Sequence, residues 1–379
     1  MNNLSIYIHI PFCQSKCHYC DFLSFPLDGG VPDKGDCPAP LGTVPEPYAQ
    51  ATSQDLITSS ASFTSHTIST IFFGGGTPSL LSIDQLHGIL TTLQQNFTLT
   101  QNTNLSIETN PETLAKPYLT DLKNLGFNRI SLGVQSFNDT HLKSIGRRHS
   151  AETAINAIKW AKEAGFKDIN LDLMFALPNQ SVADFEKCLE TAINLPITHI
   201  SCYALTIEEG TPMENHITDE NLDRQMYALA KEKLASAGFK HYEVSNWAKA
   251  GYECRHNTGY WTGREYLGVG LGASSYFQNK RMKKTDDLDE YTNGNFEFIV
   301  QEELDTAAKM SEFMLLGLRM SDGISASDFK ARFGRDVFEV FGSQLSWLFD
   351  EALLAQEGGK IRLTSRGLDI ANTVFVEFL

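Results

Sequence analysis

Cys13, Cys17 and Cys20 form a C-x3-C-x2-C array directly after the apolar stretch SIYIHIPF, and no other feature limits the fold and chemistry of this chain as much. An apolar strand must end by presenting three thiols on one tight loop. Such a loop can hold three irons of a [4Fe-4S] cube, whose sulfide-rich surroundings suit soft thiolate ligands. With no fourth cysteine in register, one iron stays open to another ligand. Zinc is the main rival, but a structural zinc site normally takes four ligands, often as two C-x2-C pairs. One such pair occurs here, and His18 or Cys37 would complete a site only at a spacing of no common zinc module. A disulfide framework fits worse. Seven cysteines is an odd count, 379 residues need no staples, and MNNLSIYIHI lacks the basic-then-apolar order of a secretory segment.

Beyond the array, β-rich runs at 5–10, 68–73, 105–109, 129–134, 168–173 and 199–204 alternate with helical patterns such as 114–125 and 151–164. Strand-then-helix repetition implies an α/β fold with a parallel sheet, whose reactive centre belongs at the carboxyl ends of the strands. The residues at those ends carry suitable chemistry. The first strand is followed by the cysteine loop, the second by Gly74-Gly75-Gly76-Thr77-Pro78, the third by Glu108-Thr109-Asn110-Pro111 and the fourth by Gln135. The fifth carries Asp172, and the sixth ends at Cys202-Tyr203-Ala204. Glycines let a backbone approach a ligand closely, and carboxylates suit ammonium groups and ribose hydroxyls. Any one of these residues is also an ordinary turn or cap residue; a match at every strand end is harder to obtain from turns.

The cysteine array, with Tyr19 before its last cysteine, resembles the signature of radical S-adenosylmethionine enzymes. That resemblance implies a partial (β/α)6 TIM-like barrel. It also implies that the amine and carboxylate of S-adenosylmethionine occupy the open iron. YIHIPFCxxxCxYCDF, FFGGGTPS, IETNPE, RISLGVQSF and GRRH are similar, over nearly the whole chain, to proteins related to oxygen-independent coproporphyrinogen III oxidase. On this resemblance Tyr7, Tyr19, Gly75, Gly76, Thr77, Glu108, Gln135, Arg147, Asp172 and Ala204 stand where the group contacts S-adenosylmethionine, and Cys13, Cys17 and Cys20 hold the cluster. Tyr7 is expected to face the cluster, Tyr19 to stack on adenine, Asp172 and Gln135 to bond ribose, and Arg147 to pair with the carboxylate.

Three features resemble the HemW-type haem chaperone more than the oxidase. Phe22 stands where the oxidase has a further cysteine, twelve residues precede Cys13, and Cys254–Trp261 contains HNxxYW. In the HemW type that motif is tied to haem, so His256 is a candidate iron ligand and Asn257, Tyr260 and Trp261 candidate haem contacts. The plainer alternative is that His256 satisfies an internal hydrogen bond and the aromatics pack a core. The resemblance implies haem, a [4Fe-4S] cluster and S-adenosylmethionine as cofactors. It further implies an electron donor such as flavodoxin or ferredoxin, and haem-accepting apoproteins such as respiratory enzymes as partners. Radical decarboxylation of coproporphyrinogen III and a cluster-bearing redox or regulatory role stay as alternatives.

Composition enters as a limit. The formal net charge of −15 argues against nonspecific nucleic-acid binding, and the Lys280–Lys284 run reads as a solvated loop. No apolar run is long enough to span a membrane, which leaves at most peripheral contact and makes the cytoplasm the expected compartment. Segment 24–47 is rich in Pro, Gly and Asp and reads as a long loop, with Cys37 an incidental thiol. The character changes near residue 295. Helical runs at 304–320, 324–333 and 344–356, then a hairpin near 360–364, resemble a small winged-helix-like unit. The expected division is 1–294 for the barrel, including the 24–47 loop and the 254–261 segment, and 295–379 for the helical unit.

Overall fold

In the computed structural model, which describes residues 2–27, 42–217 and 219–379, the six expected strands form the centre of a twelve-stranded sheet. They are β1 (Asn2–Ile10), β2 (His66–Gly75), β3 (Thr98–Thr109), β4 (Arg129–Gln135), β5 (Asp168–Phe175) and β6 (His199–Ala204). Each pairs in parallel with the next, which is the open curved sheet of a partial barrel. The alternation of side chains along a strand explains the two faces. On β1, Leu4, Ile6, Ile8 and Ile10 are fully buried in the main core, while Tyr7 and His9 turn to the opposite face and line a cavity.

The connecting helices start where the sequence offers a cap. Ser82, Ser150 and Ser181 each accept a backbone N–H at the start of Ile83–Asn96, Ala151–Glu163 and Val182–Ile193. Ser82 with Gln85 and Ser181 with Asp184 complete reciprocal capping boxes. Leu86, Ile89, Leu90 and Leu93, at helical spacing, then turn one face of their helix to the sheet.

The sheet extends past both edges of the six-strand unit. Beyond β6 lie β7 (Lys240–Glu243) and β8 (Asn246–Ala248), antiparallel. Beyond β1, β9 (Tyr266–Val269) runs parallel to it, followed by an antiparallel meander of β10 (Ser274–Phe277), β11 (Lys280–Lys283) and β12 (Ile299–Glu303). This overturns the reading of the Lys280–Lys284 run as a solvated loop. Lys284 is fully buried, its Nζ 2.9 Å from Asp55 and 3.7 Å from the Phe298 ring centroid. A buried ammonium is tolerated because an opposite charge from the helix Glu46–Ser60 meets it, a partner that local sequence does not show.

The remaining chain builds a second core running from Met310 to Phe378. Helices Thr306–Gly317, Ala326–Phe333 and Val337–Asp350 pack with a three-stranded antiparallel sheet of Ile324–Ser325, Leu354–Glu357 and Lys360–Leu363. The helix expected at 344–356 therefore ends at Asp350. Ala352 takes φ 53°, which stops the helix, and the positive φ of Gly358 and Gly359 turns the hairpin. Because β12 still pairs with β11, residues up to Glu303 stay with the larger sheet, and a division between the two cores falls after Glu303 rather than after Gly294. Cys37 and most of the 24–47 loop lie outside the described residues. Among the described residues, no helix is long and apolar enough to cross a membrane.

Candidate functional site

The cysteine loop is held from both sides by the loops that follow other strands. Gly76 and Thr77, after β2, donate their backbone N–H groups to Ile10 O and Phe12 O at 2.9 and 2.7 Å. The Thr77 hydroxyl lies 3.5 Å from Cys13 Sγ. From the other side, Arg147 donates to Cys17 Sγ at 3.4 Å and to the Gly133 carbonyl, and His18 N donates to Ile145 O at 3.1 Å. All three cysteines are free thiols and line one cavity of about 360 Å³. Burial pushes the Cys13 and Cys20 thiols up, so the charge of a bound metal centre would be needed to keep them as thiolates.

Among the described residues, no three His, Cys, Asp or Glu side chains converge on one point as the ligands of a single ion do. Three free thiols on one loop that face one cavity are a donor set a cubane can use, each thiolate meeting a different iron.

Across the cavity from the cysteines stand the strand-end residues. Gly75, with φ 111°, donates its N–H to Glu108 Oε2 at 3.2 Å. Desolvation, then the neighbouring Asp172 charge, raises the Glu108 carboxyl to about 7. Asp172 accepts from Asn170 Nδ2 at 2.8 Å on Oδ1 and from Ser131 Oγ at 3.4 Å on Oδ2, so both carboxylate oxygens are tied to the sheet. Gln135 sits at φ 64°, a left-handed conformation that is unusual for a side-chain-bearing residue and often marks function. Its Oε1 accepts from Tyr203 OH at 3.3 Å. Tyr19, Gly76, Thr77, Arg147 and Ala204 complete the wall, and Arg147 Nε has no hydrogen-bond partner. Glycines for close approach, two carboxylates and one free guanidinium N–H suit a ligand that carries both an ammonium and a carboxylate.

Tyr203, noted in the sequence only as part of the sixth strand's end, and Gly133, which was missed there, also line this cavity. Gly133 leaves room for Arg147, since a Cβ there would lie 2.7 Å from its Nη2 and displace the guanidinium. A glycine inside a strand was the available signal.

Tyr7 is placed differently from expectation. It lines two neighbouring cavities but not the cysteine cavity, and its hydroxyl bonds His9 Nδ1 at 2.9 Å. Tyr7 and Glu108 crowd the same glycine, since a Cβ on Gly74 would lie 2.9 Å from the Tyr7 ring and 3.0 Å from Glu108 Oε2.

The HNxxYW segment lies on the helix Arg255–Trp261 and divides between those same two cavities. His256 and Asn257 face a polar pocket of about 230 Å³, Trp261 faces a cavity of about 880 Å³, and Tyr260 touches both. His256 is 1% exposed, with Nδ1 2.8 Å from Thr70 Oγ1 and Nε2 2.9 Å from Tyr260 OH. Positions four apart share a helix face, so Tyr260 is the natural partner. Burial, then Arg264 and Arg129, depress the imidazole to about 3. Both ring nitrogens are thus engaged, as in the plainer alternative of an internally hydrogen-bonded histidine. The residues Gly75, Glu108 and Phe22 line both the large cavity and the cysteine cavity, so the two adjoin; Phe22 is 63% exposed at their rim.

The chain matches the radical SAM superfamily over residues 7–192 and the HemN C-terminal domain over residues 304–370. It is 34% identical to the heme chaperone HemW of Bacillus subtilis, with 99% of each chain covered. The heme chaperone HemW of Escherichia coli is 33% identical, over 99% of this chain and 98% of that one. Among solved structures, coproporphyrinogen III oxidase (HemN) from Escherichia coli superposes with a TM-score of 0.84 at 21% identity, covering 100% of this chain and 90% of that one.

Proposed function

The chain belongs to the radical S-adenosylmethionine superfamily and, within it, to the family of the heme chaperone HemW, and we propose that it binds haem beside a [4Fe-4S] cluster and delivers it to apoproteins such as respiratory enzymes. The observation that carries this reading is the adjacency of two cavities. One is lined by three thiols and by strand-end polar groups, and the other is large and aromatic-walled, with Glu108 and Gly75 as their shared boundary. At about 880 Å³ the second cavity is at the upper end of the roughly 300–1,000 Å³ typical of sites for sizeable organic ligands.

In this reading Cys13, Cys17 and Cys20 hold the cluster, which when bound supplies one-electron chemistry at an open iron. Glu108 and Asp172 receive the cationic and ribose parts of S-adenosylmethionine, and Arg147 Nε receives its carboxylate. Gly75 and Gly76 let the backbone lie against the ligand, and Tyr19 and Tyr203 exclude water from it. Tyr260 and Trp261 offer ring surface to a macrocycle. The same reading places the protein in the cytoplasm, where thiols stay reduced, with flavodoxin or ferredoxin as electron donor.

Anaerobic reconstitution followed by haem titration tests the proposal. The wild-type chain is expected to take up about four irons, as a cubane requires, and to shift the Soret band of added haem. Cys13→Ala, Cys17→Ala and Cys20→Ala should each lose the iron, and the haem-loaded chain should transfer haem to an apo acceptor. Conversion of coproporphyrinogen III with no measurable haem affinity would overturn the chaperone reading in favour of the oxidase.

A further inference from the structure

Five cationic side chains line the 880 Å³ cavity of this strongly acidic chain, and they fall into two sets. Arg281 is paired with Glu312, its Nε 3.0 Å from Oε1, and Lys283 is 2.6 Å from Asp286. Among the described residues Arg264, Lys309 and Arg332 form no ion pair; Arg264 Nη1 donates instead to Ser69 Oγ and Arg255 O, both at 3.4 Å, and Asp328, one helical turn before Arg332, is a carboxylate of the same lining. Three cations without a carboxylate partner thus gather around one cavity.

Arg264 follows the helix Arg255–Trp261 on the sheet side, whereas Lys309 and Arg332 come from helices Thr306–Gly317 and Ala326–Phe333 of the second core. Two glycines make room for the guanidinium groups. A Cβ at Gly259 would lie 3.2 Å from Arg264 Nη1, and one at Gly263 would lie 3.1 Å from Arg332 Nη1. The Arg332 guanidinium is also steadied over the Phe313 and Phe333 rings, at 6.0 and 5.5 Å from their centroids. Lys309 is half-buried and Arg332 exposed, so the positive charge sits at the mouth. Deeper in, Tyr260, Trp261, Tyr266 and Tyr276 give an aromatic wall. A cavity with an apolar body and a cationic mouth matches a flat apolar ligand that carries carboxylates along one edge.

We propose that this cavity is a tetrapyrrole site in which Arg264, Lys309 and Arg332 clamp the propionates from both sides of the boundary between the two cores. The clamp deepens the haem-binding reading above and rests on it. It assigns the recognition of haem to its carboxylate edge, and it requires the second core to close the site. Charge-assisted contacts from guanidinium to carboxylate are the strong directional element, and the ring stacking is permissive.

Difference-absorbance titration of the full chain with hemin, and with hemin dimethyl ester in the same detergent, tests the clamp. Wild-type protein should bind hemin about ten-fold or more tightly than the ester, since the ester lacks the anionic oxygens. Arg264→Gln, Lys309→Gln and Arg332→Gln should each weaken hemin binding about three- to ten-fold and leave ester binding unchanged. Arg332→Lys, which keeps the charge but not the planar fork, should bind hemin with an affinity between those of the wild type and Arg332→Gln. Equal affinity of the wild type for hemin and its ester would overturn the clamp while leaving haem binding in place. Variants that lose hemin and ester equally would overturn it too, because the cations would then act on the fold rather than on carboxylates. Absence of hemin binding by the wild type would instead overturn the underlying haem reading together with the clamp.

Discussion

Glu108 is the residue at which the cavities meet, since it lines the cysteine cavity, the large cavity and the polar pocket beneath His256. Its carboxyl is raised from 4.5 to about 7, first by desolvation and then by Asp172. A raised acid keeps its proton in the folded chain where the unfolded chain has lost it. The stability it contributes is complete below 4.5 and is lost as pH rises through about 7. Ligand binding runs the other way, because S-adenosylmethionine is cationic and needs the ionised carboxylate. Affinity for it, read by anaerobic equilibrium dialysis, should rise through pH about 7 in the wild type and be weaker and flat with pH in Glu108→Gln. A rise retained in Glu108→Gln would assign the titration to another group. Other single residues illustrate how far sequence reasoning reaches. The cysteines were legible because spacing is local. His256 was only half legible: its imidazole was visible, but its partner Thr70 comes from 186 positions away.

Loops at the ends of elements do the positioning. The β2 loop grips the cysteine loop through the Gly76 and Thr77 N–H groups, and a Cβ on Gly76 would stand 2.6 Å from Phe12 O and 2.9 Å from Ile10 O. Both are backbone atoms, so no rotamer change can relieve the contact. Gly76→Ala should destabilise the chain by about 1–3 kcal/mol and lower its iron uptake on reconstitution, although no cysteine is touched. Urea unfolding and iron analysis would check both, and full iron with unchanged stability would mean that the loop has slack. The strand-end pattern was readable from sequence because each parallel strand must deliver its last residues to the same edge of the sheet. The left-handed backbone at Gln135 was not, since its φ of 64° accompanies a register shift between β4 and β5 that only the pairing of the two strands reveals.

At the scale of the whole molecule, the chain builds two separate hydrophobic cores, and hydrogen bonds and ion pairs cross between the segments that form them. Val244 N donates to Arg319 O and Ser321 N to Tyr242 O, both at 3.0 Å, while Arg281 with Glu312 bridges β11 to the helix Thr306–Gly317. The cores should therefore respond separately. Leu345 is fully buried in the second core, and Leu345→Ala should cost about 2–5 kcal/mol of its stability. Hydrogen exchange should show the loss in residues 304–379, with iron content unchanged and haem affinity reduced. Iron lost in step with that exchange would show one cooperative unit. By itself, the sequence determined the order of strands and helices, the thiol loop and the polar strand ends, because side-chain period and residue spacing are properties of neighbouring positions. Tertiary structure decided which residues meet across long separations. It turned a lysine-rich run into strand β11 and buried Lys284 against Asp55, saturated both nitrogens of His256, and brought Arg264 to the same cavity as Arg332. The reason is physical: periodicity records that a side chain is buried, whereas the partner that makes burial of a charge or an imidazole tolerable is supplied by a distant segment.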